Sequence, residues 1–144
     1  MTIEEALKRY LLADTALAGL VGTRVYPDQG IPQSNTVWPC LTWQAQGSDR
    51  RHHLTGDASE IERDSFELEV HGPRQEQCTE VRDRLRAMFS GTACRGRWGG
   101  DDGVLVRGGL FVDVYQNTDQ PPAGGEKWPR GLRCNVTVVW TRGA

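Results

Sequence analysis

The chain has 144 residues, of which 25% are charged and 38% are hydrophobic, and its formal net charge is −2. These values are typical of a soluble globular protein with one domain, residues 1–144, and they argue against tight binding to a polyanion. No apolar run approaches the about 20 residues of a membrane helix, and the acidic start, Met1 to Glu5, lacks the basic and apolar regions of a signal peptide.

Two short helices are predicted at the start of the chain. Thr2 and Glu5 fit a capping box, and the apolar residues that follow recur at helical spacing: Ile3, Ala6, Leu7, Tyr10 and Leu11. Asp14 suits the N-cap of a second helix over Thr15–Val21, which Gly22 ends. A short extended piece, residues 24–26, comes next.

Alternating apolar and polar residues predict four strands, at 40–46, 60–71, 104–115 and 132–141. The last alternation is the clearest, with one face formed by Leu132, Cys134, Val136, Val138 and Trp140. Gly108 and Gly109 predict a bulge or bend within the third strand.

A longer helix is predicted over residues 73–90, between the second and third strands. Pro73 suits its first turn and Gly91 its C′ position, while the apolar residues keep helical spacing: Cys78, Val81, Leu85 and Met88. The element order is therefore α, α, β, β, α, β, β. We expect an α+β fold with a roughly four-stranded, mostly antiparallel sheet, two helices packed on one face, and long exposed loops.

Three polar segments, 28–39, 47–59 and 116–130, are predicted as long loops. The second carries the basic cluster Arg50-Arg51-His52-His53, and we interpret it as an exposed excursion between two strands. Trp43 and Trp140 lie in strand patterns and are expected in the core. Trp98 and Trp128 lie in segments rich in Gly or Pro, where a tryptophan either folds over its own core or anchors a partner.

The residues show no catalytic, cofactor or metal site above background. His52 and His53 point to opposite sides of an extended chain, and no further ligand stands at a usual metal spacing. The four cysteines contain no CxxC pair and are expected to be reduced thiols, mostly in the core: Cys40, Cys78, Cys94 and Cys134. The strand carboxylates are expected to face solvent for the most part: Glu60, Glu62, Glu67 and Glu69.

The order of several short motifs resembles the tail completion proteins of long-tailed bacteriophages. The resemblance lies in residues 3–22, Arg-Val-Tyr-Pro at 24–27, His-Leu-Thr-Gly at 53–56, Phe-Glu-Leu-Glu-Val at 66–70 and Val-Thr-Val-Val-Trp at 136–140. It implies a small α+β structural subunit of the virion, without cofactors and assembled in the bacterial cytoplasm. It also implies a hexameric ring at the end of the tail tube, which stops tube polymerisation and meets the head connector.

The implied partners are further copies of the chain, the major tail tube protein and the head–tail connector protein, with DNA passing through the ring without specific binding and no membrane. We expect the interfaces to include Arg50, Arg51, His52, His53, Arg95, Arg97, Trp98 and Trp128. Two alternatives stay open at this point. One is another neck ring of a phage or phage-like particle, and the other is a small enzyme or ligand-binding module.

Overall fold

The computed structural model of the chain describes residues 1–27, 30–32, 37–52, 58–117 and 130–141. The elements in chain order are α1 (Ile3–Ala13), α2 (Thr15–Val21), β1 (Val25–Pro27), β2 (Cys40–His52), β3 (Ala58–Gly72), α3 (Gln75–Phe89), β4 (Gly96–Trp98), β5 (Val104–Asn117) and β6 (Arg130–Thr141). Within these ranges, no helix is long and apolar enough to cross a membrane.

The strands form one six-stranded sheet in the order β1-β2-β3-β6-β5-β4. All neighbours are antiparallel except β1 and β2, which are parallel. The predicted α+β class is confirmed, but the sheet has six strands rather than four, and the described residues contain three helices rather than two. Of the added strands, β1 overlaps the extended piece predicted at residues 24–26, and both β1 and β4 have three residues, which is too short for an alternating pattern to show.

One face of the sheet holds the core. α3 lies against β3, β6 and β5 on that face. Its predicted apolar stripe is buried together with the inward residues of the strands, including Phe66, Leu68, Val136 and Val138. Trp140 is buried as predicted, whereas Trp43 is only partly buried and packs against the edge of the core.

The two N-terminal helices begin as the sequence predicts. Thr2 and Glu5 form the complete capping box of α1. The carboxylate of Asp14 accepts a hydrogen bond from the Leu17 amide at 2.8 Å and caps α2. α2 ends at Gly22, whose φ of 58° lies in the left-handed region that favours glycine.

Asp14 also joins the helices α2 and α3. Arg84 of α3 donates two hydrogen bonds to its carboxylate, from Nε at 2.9 Å and from Nη2 at 2.5 Å. The hydrogen bonds from Arg84 lower the pKa of Asp14 below its ordinary value, although burial opposes the shift. The contribution of this carboxylate to stability is therefore complete above its ordinary pKa and is lost as the pH falls through the lower, folded-state pKa.

Asp14→Ala is expected to lower the free energy of unfolding by about 2 kcal/mol, because it removes both the helix cap and the ion pair. Asp14→Asn is the matched control: it keeps an equally good cap and loses only the charge, so it should cost about half as much. Urea melts at pH 7 and pH 3 measure both variants. The difference between wild type and Asp14→Asn should shrink at pH 3, and a difference that grows there would contradict the ion pair.

The start of α3 differs from the prediction, and its end agrees with it. The helix begins at Gln75, with Arg74 as an N-cap that makes no side-chain capping bond, so Pro73 precedes the helix. Arg74 has extended φ and ψ values, as an N-cap residue does, so the helix starts two residues after Pro73. Ser90 is the C-cap, and Gly91 follows at C′ with φ 60°, as expected.

The interpretation of residues 47–59 as a long loop is wrong for most of its length. β2 continues to His52 and β3 starts at Ala58, with partners such as Asp49 with Arg63 and Arg50 with Glu62. Pairing between the two strands satisfies the main-chain N–H and C=O groups of these polar residues. No alternation of apolar residues marks them as strands in the sequence. Residues 53–57 of this segment lie outside the described residues, as does most of the predicted loop at 116–130.

The third predicted strand contains the expected irregularity. The register of β5 against β6 shifts between Val106 and Gly108, which confirms the bulge. Gly109 is needed here for space, because a Cβ at this position would lie 2.7 Å from the Phe89 carbonyl oxygen and 2.8 Å from Cys94 Sγ. The sheet therefore approaches the end of α3 closely at this point.

Candidate interaction surfaces

The sheet face opposite α3 is polar near its centre. Arg133 of β6 reaches Glu67 with Nε at 3.0 Å and Glu69 with Nη2 at 3.8 Å, and all three side chains are at most 26% exposed. On the same face, Thr42 Oγ1 lies 3.1 Å from His71 Nε2, and both residues are buried. This polar face is thus structured and carries both signs of charge.

The expected exposure of the strand carboxylates is therefore only partly correct. Glu67 and Glu69 face away from the core as predicted, but the guanidinium of Arg133 covers them. Glu62 is 8% exposed, because it lies on the core face beside its strand partner Trp140. The side chain of Glu60 is outside the described set.

The outer part of β5 forms a second surface, which is apolar. Leu110, Val112 and Val114 are 60%, 46% and 37% exposed. The sequence predicts a strand here, and the apolar residues of that strand fall on both of its faces. Leu110, Phe111 and Val112 are apolar in succession, a signal that could have shown this, because a strand with one solvated face alternates.

On the face that α3 covers, ion pairs connect β5 to α3. Arg86 and Arg82 both pair with Asp113, and Asp83 lies 3.2 Å from Arg82 and 3.8 Å from Arg86. The Arg86 guanidinium also lies 5.7 Å from the centre of the Phe111 ring. These contacts hold the helix side of the strand, and they leave its outer edge and opposite face uncovered by described residues.

The basic cluster predicted for the interface lies on the hairpin of β2 and β3. Arg50, Arg51 and His52 belong to the end of β2, and Arg50 lies in one cross-strand row with Glu62 of β3, Trp140 of β6 and Val106 of β5. His53 and Trp128 lie outside the described residues. Arg95 and Arg97 are exposed near β4, at the opposite edge of the sheet from β2.

Trp98 is a core residue and not an exposed anchor. It is 3% exposed, its ring stacks on Tyr10 at 4.2 Å, and its Nε1 donates a hydrogen bond to the Cys94 carbonyl oxygen at 2.9 Å. Phe89 completes the cluster with edge contacts to both rings. Trp98 therefore folds over the core of its own subunit, which is the first of the two interpretations given above. Its aromatic partner comes from α1, which is distant in the sequence.

The four cysteines lie in the interior and not on these surfaces. All four cysteines are free and buried, and burial raises the pKa of Cys134 to about 12, so it holds its proton at neutral pH. Burial likewise raises the pKa of Cys40 and of Cys94. Within the described ranges, no group of three or more His, Cys, Asp or Glu side chains could hold a metal ion.

Comparison with known proteins gives one family and a structural likeness. The family model described as tail completion protein gp17 matches residues 5–97, which run from α1 into β4. Among solved structures, a chain from the virion of a native gene transfer agent particle is similar over 98% of this chain and 95% of its own, with a TM-score of 0.63. Its identity is 17%, so this likeness concerns the fold alone. Among curated proteins, none matches the chain.

Proposed function

The chain belongs to the tail completion protein gp17 family, and from this membership we propose that it forms a hexameric ring at the end of a phage tail tube. The family is one of structural phage tail proteins and not of enzymes. The ring would end tube polymerisation and join the tail to the head connector. The family match over residues 5–97 carries the proposal, since it includes both N-terminal helices, the hairpin and α3.

The shape of the sheet supports a role in assembly. α3 packs on one face of the sheet, while on the other face Leu110 and Val112 are exposed, and no described strand pairs with the outer parts of β2 and β5. A closed ring needs two different surfaces on each subunit, which meet on neighbouring copies. The net charge of −2 suits this arrangement, because six strongly like-charged subunits would repel one another.

The polar face suits the wall of a channel through which DNA passes. Its central charges are two carboxylates, Glu67 and Glu69, around one guanidinium, Arg133. A wall of this kind does not present a row of unpaired basic side chains to phosphate groups, so DNA would slide rather than stick. Arg95 and Arg97, which are exposed near β4, would contribute charged contacts at the rim.

Deleting the gene is expected to leave DNA-filled heads without tails, together with tail tubes that are unjoined or of uncontrolled length. Electron microscopy of lysates gives the readout, and expression of the wild-type chain from a plasmid is the control. Native mass spectrometry of the purified chain, alone and with the tail tube protein, should show a species six times the 16.0 kDa subunit mass. Normal joined tails in the deletion would refute the proposed function.

A further inference from the structure

We propose that neighbouring copies of this chain join through the two open edges of the sheet, with β5 of one copy pairing antiparallel with β2 of the next. The inference rests on the ring of the proposed function, and it specifies the surfaces that close that ring. The occupant of each edge is a second copy of this chain.

The first open edge is the outer part of β5. β4 pairs only with Val104 to Val106, and a single bridge from Gly91 to Gly109 follows. From Leu110 to Asn117, no strand in the described ranges pairs with the outer side. Proteins usually protect such an edge with Lys, Pro or several charges, but the only charged residue here is Asp113, which Arg86 holds towards α3.

Exposure of apolar side chains distinguishes this edge from an ordinary surface strand. Leu110 is 60% exposed and Val112 is 46% exposed, and both lie on the face away from α3. A second strand placed beside β5 would satisfy its free backbone groups and cover part of these side chains in the same contact. The edge and its apolar side chains therefore favour a β-strand as the occupant.

The second open edge is the outer part of β2. The short strand β1 pairs with Leu41 to Trp43 and reaches no further. From Gln44 to His52, no described strand pairs with the outer side, and this stretch has a length similar to that of the open part of β5. The described strands thus leave part of each of these two edges unpaired, on opposite sides of the same sheet.

The strand directions make these two edges complementary. β2 is antiparallel to β3, β3 to β6, and β6 to β5, so β2 and β5 run in opposite directions. The two open parts lie at opposite ends of the sheet, because Gln44 is level with Val112 and Arg50 is level with Val106. Copies that follow one another in the same orientation, each shifted along the strands past β1 and β4, bring the open part of β5 beside that of β2 in an antiparallel ladder. This contact joins two different surfaces, so it repeats from copy to copy and closes when the rotation allows.

Charge favours the pairing of unlike edges over the pairing of like edges. Asp113 lies in the middle of the open part of β5, whereas the open part of β2 includes Arg50 and Arg51 and only one acidic residue, Asp49. Two β2 edges in antiparallel contact would bring the arginine pairs together, whereas Asp113 of a β5 edge is already paired with Arg82 and Arg86 of its own copy. The unlike pair avoids the contact between arginine pairs, and a pair of like edges would end as a dimer.

The test places a lysine on the apolar edge. Val112→Lys should reduce the population of ring at least about tenfold at a fixed concentration, because a charge there must be desolvated beside a strand with two arginines. The monomer should keep its urea midpoint, since Val112 is 46% exposed. Leu12→Lys is the control: Leu12 is 36% exposed on α1, outside β2 and β5, and this variant should assemble like wild type.

Cross-linking tests which edges meet. Val112→Cys and Asp49→Cys each place one thiol within the open part of an edge, where the shift along the strands brings the two positions side by side. A bis-maleimide should link an equimolar mixture of the two variants into dimers, and neither variant alone. The native cysteines are buried and give a low background.

Each other result has a definite meaning. A ring that persists in Val112→Lys would overturn this inference and leave the proposed function standing. Dimers formed by Val112→Cys alone would overturn it in favour of pairing between like edges. A Val112→Lys ring that no longer joins the tail tube would assign the edge to the tube protein instead. A wild-type chain that forms no ring, alone or with tube protein, would refute the proposed function together with this inference.

Discussion

Trp98→Ala is expected to lower the free energy of unfolding by about 3–5 kcal/mol. Trp98 is 3% exposed, and its removal would leave the rings of Tyr10 and Phe89 facing a cavity. It would also leave the Cys94 carbonyl oxygen without the indole N–H that it accepts at 2.9 Å. The loss combines a cavity, two ring contacts and one hydrogen bond.

Two further variants separate these contributions in urea melts. Trp98→Phe keeps an aromatic ring near Tyr10 and removes the hydrogen bond, so it should cost distinctly less than Trp98→Ala. Arg97→Ala, one residue away and exposed, should change stability by less than about 0.5 kcal/mol. If Trp98→Ala weakened ring assembly while the monomer melted like wild type, the residue would be an anchor for a partner.

Local signals in the sequence predicted the elements that depend on local physics. The side chains of Thr2 and Asp14 cap helices that begin at the next residue, so a few neighbouring residues contain the whole cause. The stripe of α3 repeats over enough turns to define one buried face, and all of its predicted residues are buried. Such predictions succeed because the spacing of apolar residues in the sequence equals the repeat of the helix or strand that they form.

The features that the sequence did not reveal depend on contacts between distant segments. β4 is a strand only because β5 offers it a backbone partner. The end of β2 is polar, and β3 alone determines its extended form. Trp98 is buried because Tyr10 stacks on it, and Tyr10 in turn donates a hydrogen bond to the Met88 carbonyl oxygen at the end of α3. No local pattern records a partner so far away in the chain.

The candidate surfaces follow the same division. The basic cluster at Arg50 and Arg51 is visible in the sequence, because its residue types are unusual for a strand. The open edge of β5 cannot be predicted from the sequence, since it depends on how far the neighbouring strand β4 extends along β5. Exposed apolar residues in a strand look the same in sequence as buried ones, so only the sheet order distinguishes Val112 from Val136.

Leu85→Ala is expected to cost about 2–5 kcal/mol in the free energy of unfolding, because it opens a cavity between α3 and the sheet. Leu85 is fully buried and belongs to the same core cluster as Leu68 and Val136. Glu80→Ala is the matched control on the exposed side of α3, and it should change stability by less than about 0.5 kcal/mol.

The size of the Leu85 effect tests how α3 is held. The helix has no side-chain cap at Arg74, and the ion pairs of Arg82 and Arg86 lie at the surface, where each contributes little. Its attachment therefore depends chiefly on the buried stripe, so truncation at the centre of that stripe should weaken the whole domain in one cooperative transition. Guanidinium melts of both variants measure this. A change near zero for Leu85→Ala would show that α3 does not pack on the sheet through this face.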